Sequence, residues 1–158
     1  MADTKASTKR SSSARTSGDV FSDDELAAMK ETIRERKKAA KLSPEEARAA
    51  GEADVLAAIA ALPEDDRALA GRVHELVLAA APHLVPRTFY GMPAYARDGK
   101  VVCFFQARLK FKVRYSTLGF QPDARLDEGE MWPVAFAMTS LSAASERRIA
   151  ELVKKAAG

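Results

Sequence analysis

Between residues 23 and 81 the large apolar side chains recur every three or four positions, and after Pro86 they recur every second position. This change of period predicts a helical first half and a strand-rich second half. The first helical pattern opens at Phe21-Ser22-Asp23-Asp24-Glu25-Leu26, where Ser22 can cap the Glu25 amide, Glu25 can reach back to Ser22, and Phe21 can staple onto Leu26. It predicts a helix over 23–41. Beyond Leu26, Met29 and Ile33 that helix is Lys, Arg, Glu and Ala, so its apolar stripe is thin and its packing is expected to be peripheral. A second start at Ser43-Pro44-Glu45-Glu46 puts proline at the first helical position and glutamate at N3, and Gly51 reads as an end or a break, giving a short helical connector. The next helix runs from Ala53 to Leu62 with Val55, Leu56, Ile59 and Leu62 on one face, until Pro63 stops it. Glu64 to Ala81 follows, with Leu69, Val73, Leu76 and Val77 at helical spacing, and Pro82 and Pro86 end it.

In the second half, Asp98-Gly99 is a two-residue hairpin turn joining Ala94–Arg97 to Lys100–Gln106. The run after it alternates, with Leu109, Phe111, Val113 and Tyr115 on one side and Arg108, Lys110, Lys112 and Arg114 on the other, and reads as a further strand. A loop is expected from about Thr117 to Met131, then a strand over Val134 to Met138, then a helix capped by Ser142 and running to about Ala156. The fold class is α+β, two layers, an antiparallel sheet packed against helices with an N-terminal helical extension. Residues 1–20 carry Lys5, Lys9, Arg10 and Arg15 with almost no large apolar side chain and are expected to form a disordered basic arm. Residues 21–52 form the extension and connector, and residues 53–158 the α+β domain.

Composition sharpens this division. Of the 158 residues 47% are hydrophobic, but 31 are alanine, which serves helix propensity more than core volume. Ten of the eleven aromatic residues lie between Phe89 and Phe136, so the packed heart of the domain is expected there. Net charge is +3 with acids and bases interspersed along the chain, which excludes a polycationic nucleic-acid-binding half. The single cysteine, Cys103, lies in the apolar run Val101 to Phe105, so no internal disulfide forms and a reducing compartment is expected. Without an apolar leader or an apolar run near the ~20 residues that span a bilayer, the chain reads as cytoplasmic with no membrane partner.

Several catalytic motifs fail on single positions. His74-Glu75 starts like a zinc-protease signature, but the second histidine would fall at Leu78; Gly99-Lys100 lacks the flanking glycine and hydroxyl of a phosphate loop, with Ala94 and Val101 there instead. No Gly-x-Ser-x-Gly elbow is present, and the chain is read as non-enzymatic. The alternating run is the strongest candidate from the residues themselves. Arg108, Lys110, Lys112 and Arg114 at every second position of a strand would span roughly 20 Å and form a positive stripe for an anion or a nucleic acid. Trp132, at the end of an acidic loop, could close a small-ligand pocket over the sheet.

A set of short segments carries a family resemblance: Pro63-Glu64-Asp65 before Arg67, Ala81-Pro82, Tyr90-Gly91-Met92-Pro93-Ala94-Tyr95, and Gly99-Lys100-Val101-Val102-Cys103-Phe104, with Thr117-Leu118-Gly119-Phe120 and Met131-Trp132-Pro133 further on. From Ala53 onward the chain resembles the bacterial YdhG-like domain family. The resemblance implies an α+β fold related in layout to frataxin. Some members are described as iron chaperones serving iron-sulfur cluster or haem assembly, and no catalytic residue comes with the family. On that implication Glu64, Asp65 and Asp66 match the family's acidic helix start and would be metal ligands for iron. Tyr90, Met92 and Tyr95, in the aromatic-Gly-Met-Pro segment, are further candidates for ligand contact.

Overall fold

A computed structural model describes residues 22–39 and 42–158; the expected basic arm and the Phe21 staple lie outside them. The elements are α1 (Asp23–Ala39), α2 (Pro44–Ala60), α3 (Glu64–Ala80), β1 (Val85–Phe89), β2 (Met92–Arg97), β3 (Lys100–Gln106), β4 (Ser116–Phe120), β5 (Ala135–Met138) and α4 (Ala143–Ala157). The strands form one antiparallel sheet in the order β1-β2-β3-β4-β5, so every strand pairs with its neighbours in the chain. This is the expected α+β class. No described helix is long and apolar enough to cross a membrane.

The helix starts follow from local chemistry. Ser22 Oγ accepts the Glu25 amide at 3.2 Å while the Ser22 amide donates to Glu25 Oε2 at 3.0 Å. Ser43 and Glu46 repeat the same reciprocal cap at α2, with Pro44 at the first helical position, and Ser142 caps α4 through the Ser145 amide. The reading of Gly51 as a break is overturned, because α2 runs through it without interruption. Its missing side chain serves packing: a Cβ there would overlap the Pro86 carbonyl oxygen of β1. Proline has no amide to donate to a ladder and is tolerated on an edge strand, so Pro86, read as a terminator, lies within β1, and α2 closes over that edge.

The two tight hairpin turns, β1–β2 and β2–β3, are built from two residues of positive φ, Tyr90 (51°) with Gly91 (75°) and Asp98 (51°) with Gly99 (79°), the geometry that matches the right-handed strand twist. The register then sorts side chains between two faces. Tyr95, Cys103, Phe105, Leu118 and Phe120 share the face packed on α2, α3 and α4, where Val55, Val73, Val77 and Val153 are fully buried. Arg87, Phe89, Ala94, Phe104 and Gly119 share the opposite face. Gly119 has no side chain because the Phe104 ring occupies the space a Cβ would take. Burial pushes the Cys103 thiol up to about 12. The native protein is therefore expected to leave Cys103 unreacted with an aromatic disulfide reagent at pH 8, with one thiol released only on addition of denaturant. Rapid reaction of the folded protein would contradict this packing.

The expected strand over 108–115 is not present. Residues 108–112 make a single helical turn, with the Phe111 amide bonded to the Ala107 carbonyl and the Val113 amide to the Arg108 carbonyl, and Lys112 in the left-handed conformation at φ 55°. The second bond spans six residues and closes the turn as glycine-terminated helix ends do, with lysine in the glycine place. Strand β4 starts at Ser116 and takes residues 117–120 out of the segment expected as loop, and the Ser116 hydroxyl accepts the Arg108 amide at 3.2 Å.

Helix α1 docks in an unexpected sense. Its half-buried and buried residues are Ala28, Glu31, Thr32 and Glu35, a polar line at helical spacing, and Thr32 is only 5% exposed with its hydroxyl bonded to the Ala28 carbonyl. Leu26, Met29 and Ile33, the apolar stripe, remain 39%, 41% and 54% exposed.

Candidate functional site

The acidic helix start does not form a converging set. Glu64 and Asp65 are exposed, whereas Asp66 is buried and committed: Oδ2 accepts the Leu109 amide at 3.0 Å and Oδ1 lies 3.6 Å from Arg108 Nε. Among the described residues no group of three or more His, Cys, Asp or Glu stands close enough to hold a metal ion.

The four cations of the expected stripe scatter because the segment is a turn. Arg108 pairs with Asp66 and, at 4.0 Å, with Asp65; Lys110 donates to the Gly91 carbonyl at 2.9 Å; Arg114 lies over the Tyr115 ring at 5.3 Å; Lys112 is exposed at the left-handed position. They form no continuous stripe.

The aromatic-Gly-Met-Pro segment is structural in its last residue. Tyr95 is 0% exposed and its hydroxyl lies 2.9 Å from His74 Nδ1 on α3. Burial lowers the His74 pKa and raises that of Tyr95, so both are held neutral and the pair ties sheet to helix. Met92 is buried, and Tyr90 stands exposed at the turn with its ring edge-on to Phe89 at 4.5 Å between centroids. Trp132 is partly buried and packs against the hydrophobic core.

A different constellation lies on the sheet face away from α3 and α4. Arg36 from α1, Arg87 and Phe89 from β1, Lys100 and Val101 from β3, and Gln121 and Asp123 from the loop after β4 line one cleft of about 400 Å³. Three cations meet one carboxylate there, and Lys100 Nζ lies 3.7 Å from Asp123 Oδ1. The half-exposed Phe89, which lines the cationic cleft, leans on the half-exposed Phe104 with the rings tilted by 49° and 5.9 Å between centroids. Each position has a local cause: Arg87 and Phe89 alternate onto this face because β1 is a strand, and Lys100 follows the Asp98-Gly99 turn. The arrangement suits an anion with a planar group, guanidinium and ammonium taking the charge and the ring taking the plane.

Arg36 is carried into this cleft by a helix whose footing is electrostatically unusual. Burial raises the pKa of the neighbouring Glu35, and Glu31 and Asp54 add to the rise, while the Thr88 hydroxyl and Arg87 offset part of it. One Glu35 oxygen is buried without a hydrogen-bond partner, at the junction of α1 with Gly51, Asp54 and Thr88.

Arg36, Arg87, Phe89 and Lys100 were not among the residues the sequence pointed to. The available signal was Val85-Pro86-Arg87-Thr88-Phe89 read through a Tyr90-Gly91 turn: pairing across that turn sets Arg87 opposite Ala94 and Phe89 opposite Met92. No protein-family model, no curated protein and no solved structure matches the chain.

Proposed function

We propose that the chain is an accessory module that binds a phosphate-bearing ligand on the half-exposed face of its sheet, through Arg36, Arg87 and Lys100 with Phe89 as the apolar wall. The observation that carries the reading is the meeting of three cations from three separate elements in one cleft beside an aromatic pair. It keeps the anion-binding chemistry expected for the run 108–114 and moves it to other residues. Iron handling, which the family resemblance implies, has less support, since Asp66 is engaged with Arg108 and the Leu109 amide, Asp65 lies 4.0 Å from the same guanidinium, and Glu64 is exposed.

Fluorescence anisotropy with a labelled single-stranded oligonucleotide tests the proposal, because the probe offers both phosphates and stackable bases. Binding is expected at micromolar protein in low salt, weakening steeply as salt rises. Arg87→Ala and Lys100→Ala should each weaken it about tenfold, the loss of one charge-assisted contact. Lys112→Ala, outside the cleft, should leave it unchanged. No binding at low salt, or equal losses at Lys112 and Arg87, would remove the cleft as the site.

A further inference from the structure

The way α1 docks leaves its apolar stripe facing outward, and the spacing of that stripe is that of a helix-pairing seam. Leu26, Met29 and Ile33 follow one another by three and four residues, the a, d, a positions of a heptad. On the same count Ala28, Glu31 and Glu35, which meet the rest of the protein, fall at c and f, on the far side of the helix from the seam, while the buried Thr32 falls at g beside it. The stripe is open to a partner helix toward its N-terminal end, where Glu25 at g and Lys30 at e are exposed.

We infer that the α1 stripe is the contact of a reversible, parallel, two-fold dimer between copies of this chain. Three observations select this occupant. In parallel register each apolar residue meets itself, Leu26 on Leu26, Met29 on Met29 and Ile33 on Ile33, so all three layers are apolar. Antiparallel pairing matches a with d, and its registers set either Ile33 against Ser22 or Leu26 against Arg36. The flanking charges then agree with the parallel arrangement: Glu25 at g of one chain stands beside Lys30 at e of the other, and the symmetry makes that pair twice. The stripe also ends on charge: the next d position sets Arg36 against Arg36 in the parallel pair, a repulsive layer that keeps the seam short. Such a seam is smaller than the about 800 Å² per partner of stable complexes, so a dissociation constant on the order of 10 to 100 µM is expected.

Sedimentation equilibrium of the full chain from about 5 to 500 µM, bracketing that range, should follow a monomer–dimer equilibrium. Ile33→Glu should leave a monomer at every concentration while its thermal midpoint stays near that of the parent, since Ile33 is exposed in the single chain. Lys30→Glu should weaken the dimer about fivefold by turning both flanking pairs repulsive. Leu26→Cys under mild oxidation should give a disulfide-linked dimer, which only the parallel register allows. A chain that stays monomeric at the highest concentration overturns the inference, including the case in which residues 1–21 or another protein cover the stripe. A dimer indifferent to Ile33→Glu, or one in which Leu26→Cys fails to cross-link, overturns it as well. Because the cleft variants and the seam variants are different residues, either reading can fail while the other stands.

Discussion

Replacing Gly51 by alanine is expected to destabilise the protein by about 3 kcal/mol, near the upper end of what overpacking costs. The reason is the identity of the obstacle. The new methyl would meet the Pro86 carbonyl and then the Pro86 carbonyl carbon, both backbone atoms of a hydrogen-bonded strand, so no side chain can rotate away. Either α2 lifts from β1 or β1 bends away from β2. Gly71 in α3 supplies the control, because nothing lies within 4 Å of the Cβ it lacks. Gly71→Ala should gain about 0.5 to 1 kcal/mol, the helix propensity difference alone. Urea unfolding of the two variants should thus move in opposite directions. If both gained, α2 would not be packed on the strand edge as described.

Asp66→Ala should cost a similar amount, about 3 kcal/mol, through a different mechanism. The carboxylate is only 2% exposed and holds two groups at once, the Leu109 amide and the Arg108 guanidinium. Its removal leaves an amide and a cation without their partner, the outcome that makes breaking a buried pair expensive. Arg108 keeps a third of its side chain in water, which holds the loss toward the lower end of the range for buried pairs. Asp66→Asn should recover part of it, because an amide oxygen still accepts from Leu109. Limited proteolysis supplies a second readout, with new cleavage expected between 108 and 115 in the alanine variant. The loss should be the same with and without a chelator, as follows if Asp66 is a structural partner of the turn and not a metal ligand.

These two positions also mark what could be read from the sequence. Ser22, Ser43 and Ser142 were legible because each cap is made with residues three positions away. Asp98-Gly99 was legible because the turn it forms needs nothing beyond itself. Gly51 was misread because its partner, Pro86, is 35 positions away, and a glycine in a helix looks like a stop until the strand against it is known. The run 108–115 was misread for a related reason. Strict alternation of charge and apolarity favours a strand, yet Asp66, 43 positions earlier, binds the Leu109 amide and Ser116 binds the Arg108 amide, and together they fix a helical turn. The candidate site was less legible than the fold. Arg36, Arg87 and Lys100 are ordinary surface cations in the sequence, and only the meander of the sheet and the docking of α1 gather them. The α1 stripe was visible, but its direction was not, since periodicity names a face and says nothing of which way the face turns.

The order of the sheet has a bearing on how quickly the molecule assembles. Every strand pairs only with the one before and the one after it in the chain, so four of the closures that build the fold are local ones with little loop entropy to overcome. The sheet can grow one hairpin at a time without waiting for distant segments. The demanding closure is α4, which must find α3 across the Arg72–Glu146 contact, 74 residues apart, and receive the Arg97 guanidinium on the carbonyls of Ala156 and Ala157 at its last turn. The rate-limiting event in folding is thus expected to be the seating of the final helix on a sheet already in register.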